Sequence, residues 1–148
     1  GAGKSSVENV LEEDIKENFK SYNVGFHRHQ PEIRDFLKIE FNLDHEIIFI
    51  PHLLPLFRGE YVTLYCEVTK NNLNLNDLYE NYYESHKLVR IKEKGEIAEI
   101  KDVINTFYCD ISLSYAFQSN TIVINSAIDN LLKGAASQAI QCLDIMSS

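Results

Sequence analysis

"DISLSYAFQSNTIVINSAIDNLLKGAASQAI", residues 110–140, decides the fold class because its hydrophobic period changes part-way along. Over 110–117 and again over 121–125 the pattern is that of strands, with alternation of apolar and polar residues. Beyond Asn130 the period lengthens. Leu132, Ala135, Ala136, Ala139, Ile140 and Leu143 recur at three-and-four spacing, as on a helix with one apolar face, and the alanines permit close packing. Asp129 or Asn130 stands ready to cap that helix.

Working outward, residues 87–92 and 103–107 read as further strands, and 74–85 as a helix with Leu75, Leu78, Tyr79 and Tyr82 on one face and Asn74 or Asn76 as cap. The β-branched and aromatic runs 47–50 and 61–68 read as strands around an irregular stretch shaped by Pro51, Pro55 and Gly59. Pro31 and Glu32 open a helix to about Ile39, since proline is tolerated where its missing N–H has no helical partner. Residues 7–20 are expected to be helical despite mixed periodicity. Together these elements predict an α+β fold, a mixed, mostly antiparallel sheet covered by helices, in a single domain over 1–148.

The 148 residues, 45% of them hydrophobic, suffice for a sizeable core, because a domain of this length buries roughly two thirds of its unfolded surface. A net charge of −8 argues against broad nucleic-acid binding, which needs a basic face. Cys66, Cys109 and Cys142 form no C-x-x-C pair and leave one over in any disulfide scheme, so free, mostly buried thiols in a reducing compartment are expected. With no run near the roughly 20 apolar residues of a membrane span, the expected location is cytoplasmic and no membrane partner is expected.

Three stretches could carry chemistry. In "HRHQPEI", 27–33, an extended backbone would set His27 and His29 on one side and Arg28 on the other. Such a pair suits a general acid/base histidine with a companion that orients it or binds ligand. A metal site needs more ligands than this pair supplies, and none is expected. In "PHLLPLFRGEYVTLYCEV", 51–68, Arg58 precedes a turn-forming glycine, where a guanidinium can bind a carboxylate or phosphate. In "IDNLLKGAASQAIQ", 128–141, the packed helix carries Asp129, Asn130 and Lys133 near its first turn, where polar groups often face a ligand. The opening GAGKSS lacks the preceding glycine and strand of a phosphate-binding loop and reads as a loop.

Taken in order, GAGK, HRHQPEI, PHLLPLFRG, YENYY and DNLLKGAASQAIQ resemble the C-terminal, substrate and dimerisation portion of the N-acetyl-gamma-glutamyl-phosphate reductases. Ser137 stands where that family usually reads glycine. The resemblance implies the C-terminal domain fold of glyceraldehyde-3-phosphate-dehydrogenase-like enzymes, and reduction of an acyl phosphate to an aldehyde with NADPH through a cysteine thioester. It makes His29 the best match to the acid/base histidine, with His27 beside it. Arg28, Arg58 and Lys133 become candidates for the substrate's anionic groups, and Asp129 and Asn130 for the cofactor's edge. It also implies a homo-oligomer formed through the sheet, and an NADP-binding domain lying outside this sequence, since no Gly-Cys-Tyr/Asn-Pro motif or G-x-G-x-x-G follows a strand here. Two other readings compete: a dimerisation or binding module without catalysis, and a metal-dependent hydrolase using His27, His29 and one more ligand.

Overall fold

The computed structural model describes residues 16–69, 73–116 and 120–147. They fall into two compact units, 1–56 and 57–148. In the first, β1 (Lys20–Ser21) pairs antiparallel with β2 (His52–Leu53), and α1 spans His29–Phe41. Pro31 sits in the first turn of α1, where no helical N–H is missed, and Glu32 places negative charge at the positive end of the helix dipole. Asn42 closes the helix in the left-handed conformation that asparagine tolerates (φ 53°), and the N–H groups of Asn42 and Leu43 return to Lys38 and Leu37 carbonyls at 3.1 Å.

Two expectations fail in this unit. Of the helix expected over 7–20, residues 7–15 lie outside the described ones; residues 16 and 17 form a turn, and Lys20 opens β1. Residues 47–50 are not a strand. The Ile47 carbonyl accepts a hydrogen bond from the Gln30 side chain (2.9 Å) and not from a neighbouring strand.

The second unit is built on a four-stranded sheet of order β3 (Glu60–Glu67), β6 (Thr121–Ile128), β5 (Cys109–Tyr115), β4 (Val89–Ile91). β6 runs antiparallel to both of its neighbours and β4 runs parallel to β5, the mixed, mostly antiparallel sheet expected. Leu113 pairs with Ile124, so Ile111, Leu113, Ile122 and Ile124 share one face. On that face α2 (Leu75–Tyr83) inserts Leu75, with Tyr79 and Tyr83 packed around it. The opposite face is smaller and more polar. There Asp110, Ser112 and Asn125 are buried, and Ala127 packs with Ala98 and Val103 beside the short helix α3 (Ile100–Val103).

The expected strand 103–107 is instead the end of α3 and a turn. Val103 is fully buried, Asn105 takes a left-handed φ of 60°, and Thr106 Oγ1 donates to the Val103 carbonyl at 2.7 Å. The C-terminal helix lies where its period put it, but its first turn, Leu132–Ala136, is π-wound before α4 (Ser137–Ser147) begins.

The expectation of mostly buried thiols is corrected: Cys66 and Cys142 are exposed, and Cys109 is partly buried. Cys66 lies on edge strand β3, every residue of which is exposed, and Cys142 on α4, which buries none. Among the described residues no helix is long and apolar enough to cross a membrane.

Candidate active site

In the first unit the helix start gathers the histidines. The extended H-R-H expected from the sequence is corrected, because Arg28 already has helical dihedrals (φ −56°, ψ −29°) as the residue before α1. His27 and His29 meet all the same, with ring centroids 4.6 Å apart at 78°. The turn that begins the helix does this by folding His27 Nδ1 over the backbone N–H of His29, which donates to it at 3.3 Å. With Nδ1 accepting, a neutral His27 carries its proton on Nε2, which lies 3.5 Å from the Tyr22 hydroxyl. Phe49 adds an apolar wall, its ring 5.0 Å from that of His27 and 6.1 Å from that of His29.

This environment sets the protonation of His27. Partial burial, then the positive charges of His29 and Arg28, push its pKa below the ordinary 6.5, against a weaker opposing pull from Glu32. His27 is thus neutral at pH 7, and able to accept a proton. Arg28 itself is exposed.

In the second unit, Arg58, Asp129, Asn130 and the unanticipated Asn105 converge. The Asp129 carboxylate is fully buried. Its Oδ1 accepts the backbone N–H groups of Leu131 (2.9 Å) and Leu132 (3.0 Å), which caps the C-terminal helix as the sequence suggested. Its Oδ2 accepts the N–H of Asn105 at 2.8 Å and lies 3.3 Å from Arg58 Nε, an ion pair in which the Nε–H is not well aimed at the oxygen. Burial pushes this carboxyl up, but the N–H donations from Asn105, Leu132 and Leu131, with the Arg58 charge, outweigh it and hold the pKa below 3.8.

Arg58 also donates through Nη1 to Asn105 Oδ1. Asn130 Oδ1 receives the backbone N–H of Gly59 at 2.8 Å, which ties the turn after Arg58 to the end of β6. Lys133 Nζ donates to Gln141 Oε1 at 2.6 Å. Asn105 was missed in the sequence, where its signal was faint: an asparagine breaking a β-branched run, at a position that needs positive φ. A second pair also escaped notice, the fully buried Asp110 gripped by Arg90 through Nε (2.5 Å) and Nη2 (2.9 Å).

Both carboxylate oxygens of Asp129 and the side-chain amide oxygen of Asn130 are taken up by hydrogen bonds inside the fold. Among the described residues no group of three or more His, Cys, Asp or Glu side chains is arranged to hold a metal ion.

Known proteins place the chain. A family described as semialdehyde dehydrogenase, dimerisation domain, matches residues 1–130. The N-acetyl-gamma-glutamyl-phosphate reductase of Brachyspira hyodysenteriae is 41% identical over 98% of this chain and 42% of its own length; that of Staphylococcus saprophyticus is 37% identical over 99% and 43%. The chain therefore spans less than half the length of these relatives. Among solved structures, aspartate semialdehyde dehydrogenase II of Vibrio cholerae superposes with a TM-score of 0.68 at 14% identity, covering 90% of this chain and 42% of that one. The enzyme from Francisella tularensis gives 0.67 at 13%, over 89% and 40%. With 130 of its 148 residues matched on a shared fold, the chain belongs to the semialdehyde dehydrogenase dimerisation-domain family.

Proposed function

We propose that residues 1–148 form the substrate-binding and dimerisation domain of an N-acetyl-gamma-glutamyl-phosphate reductase, which reduces N-acetyl-glutamyl 5-phosphate to N-acetylglutamate 5-semialdehyde with NADPH and releases phosphate. The observation that carries this reading is 37–41% identity, over almost the whole chain, to proteins of that name. The nucleotide and the nucleophilic cysteine belong to an NADP-binding domain outside these residues. Cys109 Sγ lies 3.3 Å from Ser126 Oγ and Cys142 Sγ 3.7 Å from Gln138 Nε2.

His29 is the acid/base group: an imidazole can take the thiol proton before attack on the acyl phosphate, and return it to sulfur when the hemithioacetal left by reduction of the thioester collapses to the aldehyde. His27 buttresses it, and its lowered pKa makes it a poorer proton acceptor than an ordinary imidazole. Arg58 meets the substrate's anionic end, with Arg28 and Lys133 as further cations. The protein forms a homo-oligomer through the exposed β3 side of the sheet, where Tyr61, Leu64 and Tyr65 are exposed.

The test pairs substrates. The enzyme containing this chain, joined to its NADP-binding domain, is assayed for phosphate-dependent NADP reduction with N-acetylglutamate 5-semialdehyde and with aspartate 4-semialdehyde. Preference for the acetylated substrate is expected. Preference for the aspartate compound would move the protein to the sister enzyme, and no turnover of either by a folded assembly would favour the non-catalytic module.

A further inference from the structure

Arg58 is a candidate anion-binding cation that the fold holds from behind. Its guanidinium stands at the start of β3 against two anchors. One is the fully buried Asp129 carboxylate, 3.3 Å from Nε; the other is Asn105 Oδ1, which accepts from Nη1. Asp129 governs both anchors, because its Oδ2 also accepts the Asn105 backbone N–H at 2.8 Å and so fixes the left-handed turn that brings the Asn105 side chain to Arg58. Asp129 cannot drift, since Oδ1 is fastened to the Leu131 and Leu132 N–H groups. The Gly59–Asn130 bond, 2.8 Å, clamps the residue after the arginine to the same strand end.

A guanidinium has five N–H donors in a planar fork. The contacts to Asp129 and Asn105 engage the Nε side and one N–H of Nη1, while the side chain keeps 26% of its surface exposed. A second anchor, on Nη1, fixes the plane of the guanidinium as well as its place. An arginine that must offer its remaining N–H groups in a fixed plane gains from one, because bidentate recognition of a phosphate or carboxylate depends on orientation as much as on charge.

We propose that Asp129 and Asn105 are positioning residues that hold the Arg58 guanidinium in the plane in which it receives the substrate's phosphate or carboxylate, and that neither of them touches substrate or cofactor. This rests on the reading of Arg58 as a substrate-binding residue.

The test uses the whole enzyme with its NADP-binding domain, and inorganic phosphate as the probe of the anion site. Asp129→Asn keeps the helix cap, since an amide oxygen still accepts the Leu131 and Leu132 N–H groups, but it removes the negative charge that faces Arg58 and sets an amide NH2 where Oδ2 accepted the Asn105 N–H. Asn105→Gly keeps the positive-φ turn and removes the other anchor. Each is expected to raise KM for the acyl phosphate, and weaken competitive inhibition by phosphate, roughly tenfold, with kcat within about twofold, the scale of a charge-assisted hydrogen bond. Neither adds a further loss in an Arg58→Ala background. If Asp129→Asn does not fold, Asn105→Gly carries the test alone. If Arg58→Ala raises KM while the two anchor variants lower only Tm, the positioning role is overturned and the substrate role of Arg58 stands. If Arg58→Ala leaves KM and phosphate inhibition unchanged, the reading beneath it falls as well.

Discussion

At the scale of single residues, protonation is set by what each group faces. His27 is pushed down by partial burial and by the charges of His29 and Arg28. A histidine with a depressed folded pKa contributes stability that is present above 6.5 and lost as pH falls through the lowered folded value. NMR titration of the imidazole protons is expected to place His27 below 6.5, and His29→Asn should move it back toward that value by removing one of the charges. A His27 midpoint above 6.5 would contradict the described surroundings. Asp129 is depressed too, for a different reason: backbone N–H donors outweigh its burial. Its stabilising share is present above pH 3.8 and lost as pH falls through the lower folded value, so acid unfolding of Asp129→Asn should be less steep in that range than that of the unmodified chain.

At the scale of elements, glycine and serine positions make sharp tests. Gly59 has φ +111°, and a Cβ there would run into the Ile100 side chain. Gly59→Ala is therefore expected to cost about 1–3 kcal/mol in urea unfolding, by strain and overpacking together. Ser137 Oγ is buried and has no hydrogen-bond partner among the described residues. Since a buried hydroxyl without a partner costs about 1–3 kcal/mol, Ser137→Ala should stabilise the protein, and a lower urea midpoint would contradict this.

The elements also mark what was legible in the sequence. The alternation over 110–117 gave β5, which buries one regular face, and the helical period after Asn130 gave the C-terminal helix, although that helix buries no residue. The run 47–50 misled because β-propensity reports a fit to a half-buried pleat and the fold offers no partner strand there. The run 103–107 misled because the fully buried Val103 ends a short helix, and a single asparagine at positive φ turns the chain after it. In the site, the motif order located His27 and His29, but their contact comes from a helix turn that no alternation rule describes. The pairing of Arg58 with Asp129 joins positions 71 residues apart and could not be read locally.

At the scale of the whole molecule, the sheet is covered unevenly. α2 shields one face, while edge strand β3 exposes Tyr61, Leu64 and Tyr65, the last at 74%. A long exposed edge with large apolar side chains is a pairing surface. Analytical ultracentrifugation is expected to show a self-associated species that Tyr65→Glu shifts toward monomer, and unchanged sedimentation of that variant would place the contact elsewhere.

Cleavage of the acyl phosphate with proton handling by His29 is the claim on which the functional account turns. The most direct measurement is kcat for phosphate-dependent oxidation of N-acetylglutamate 5-semialdehyde with NADP reduction, by the enzyme containing this chain and its NADP-binding domain, comparing the unmodified protein with His29→Asn. Loss of general acid/base catalysis predicts a fall of roughly 10²–10⁴-fold with KM little changed. A kcat within twofold of the unmodified enzyme would contradict the assignment.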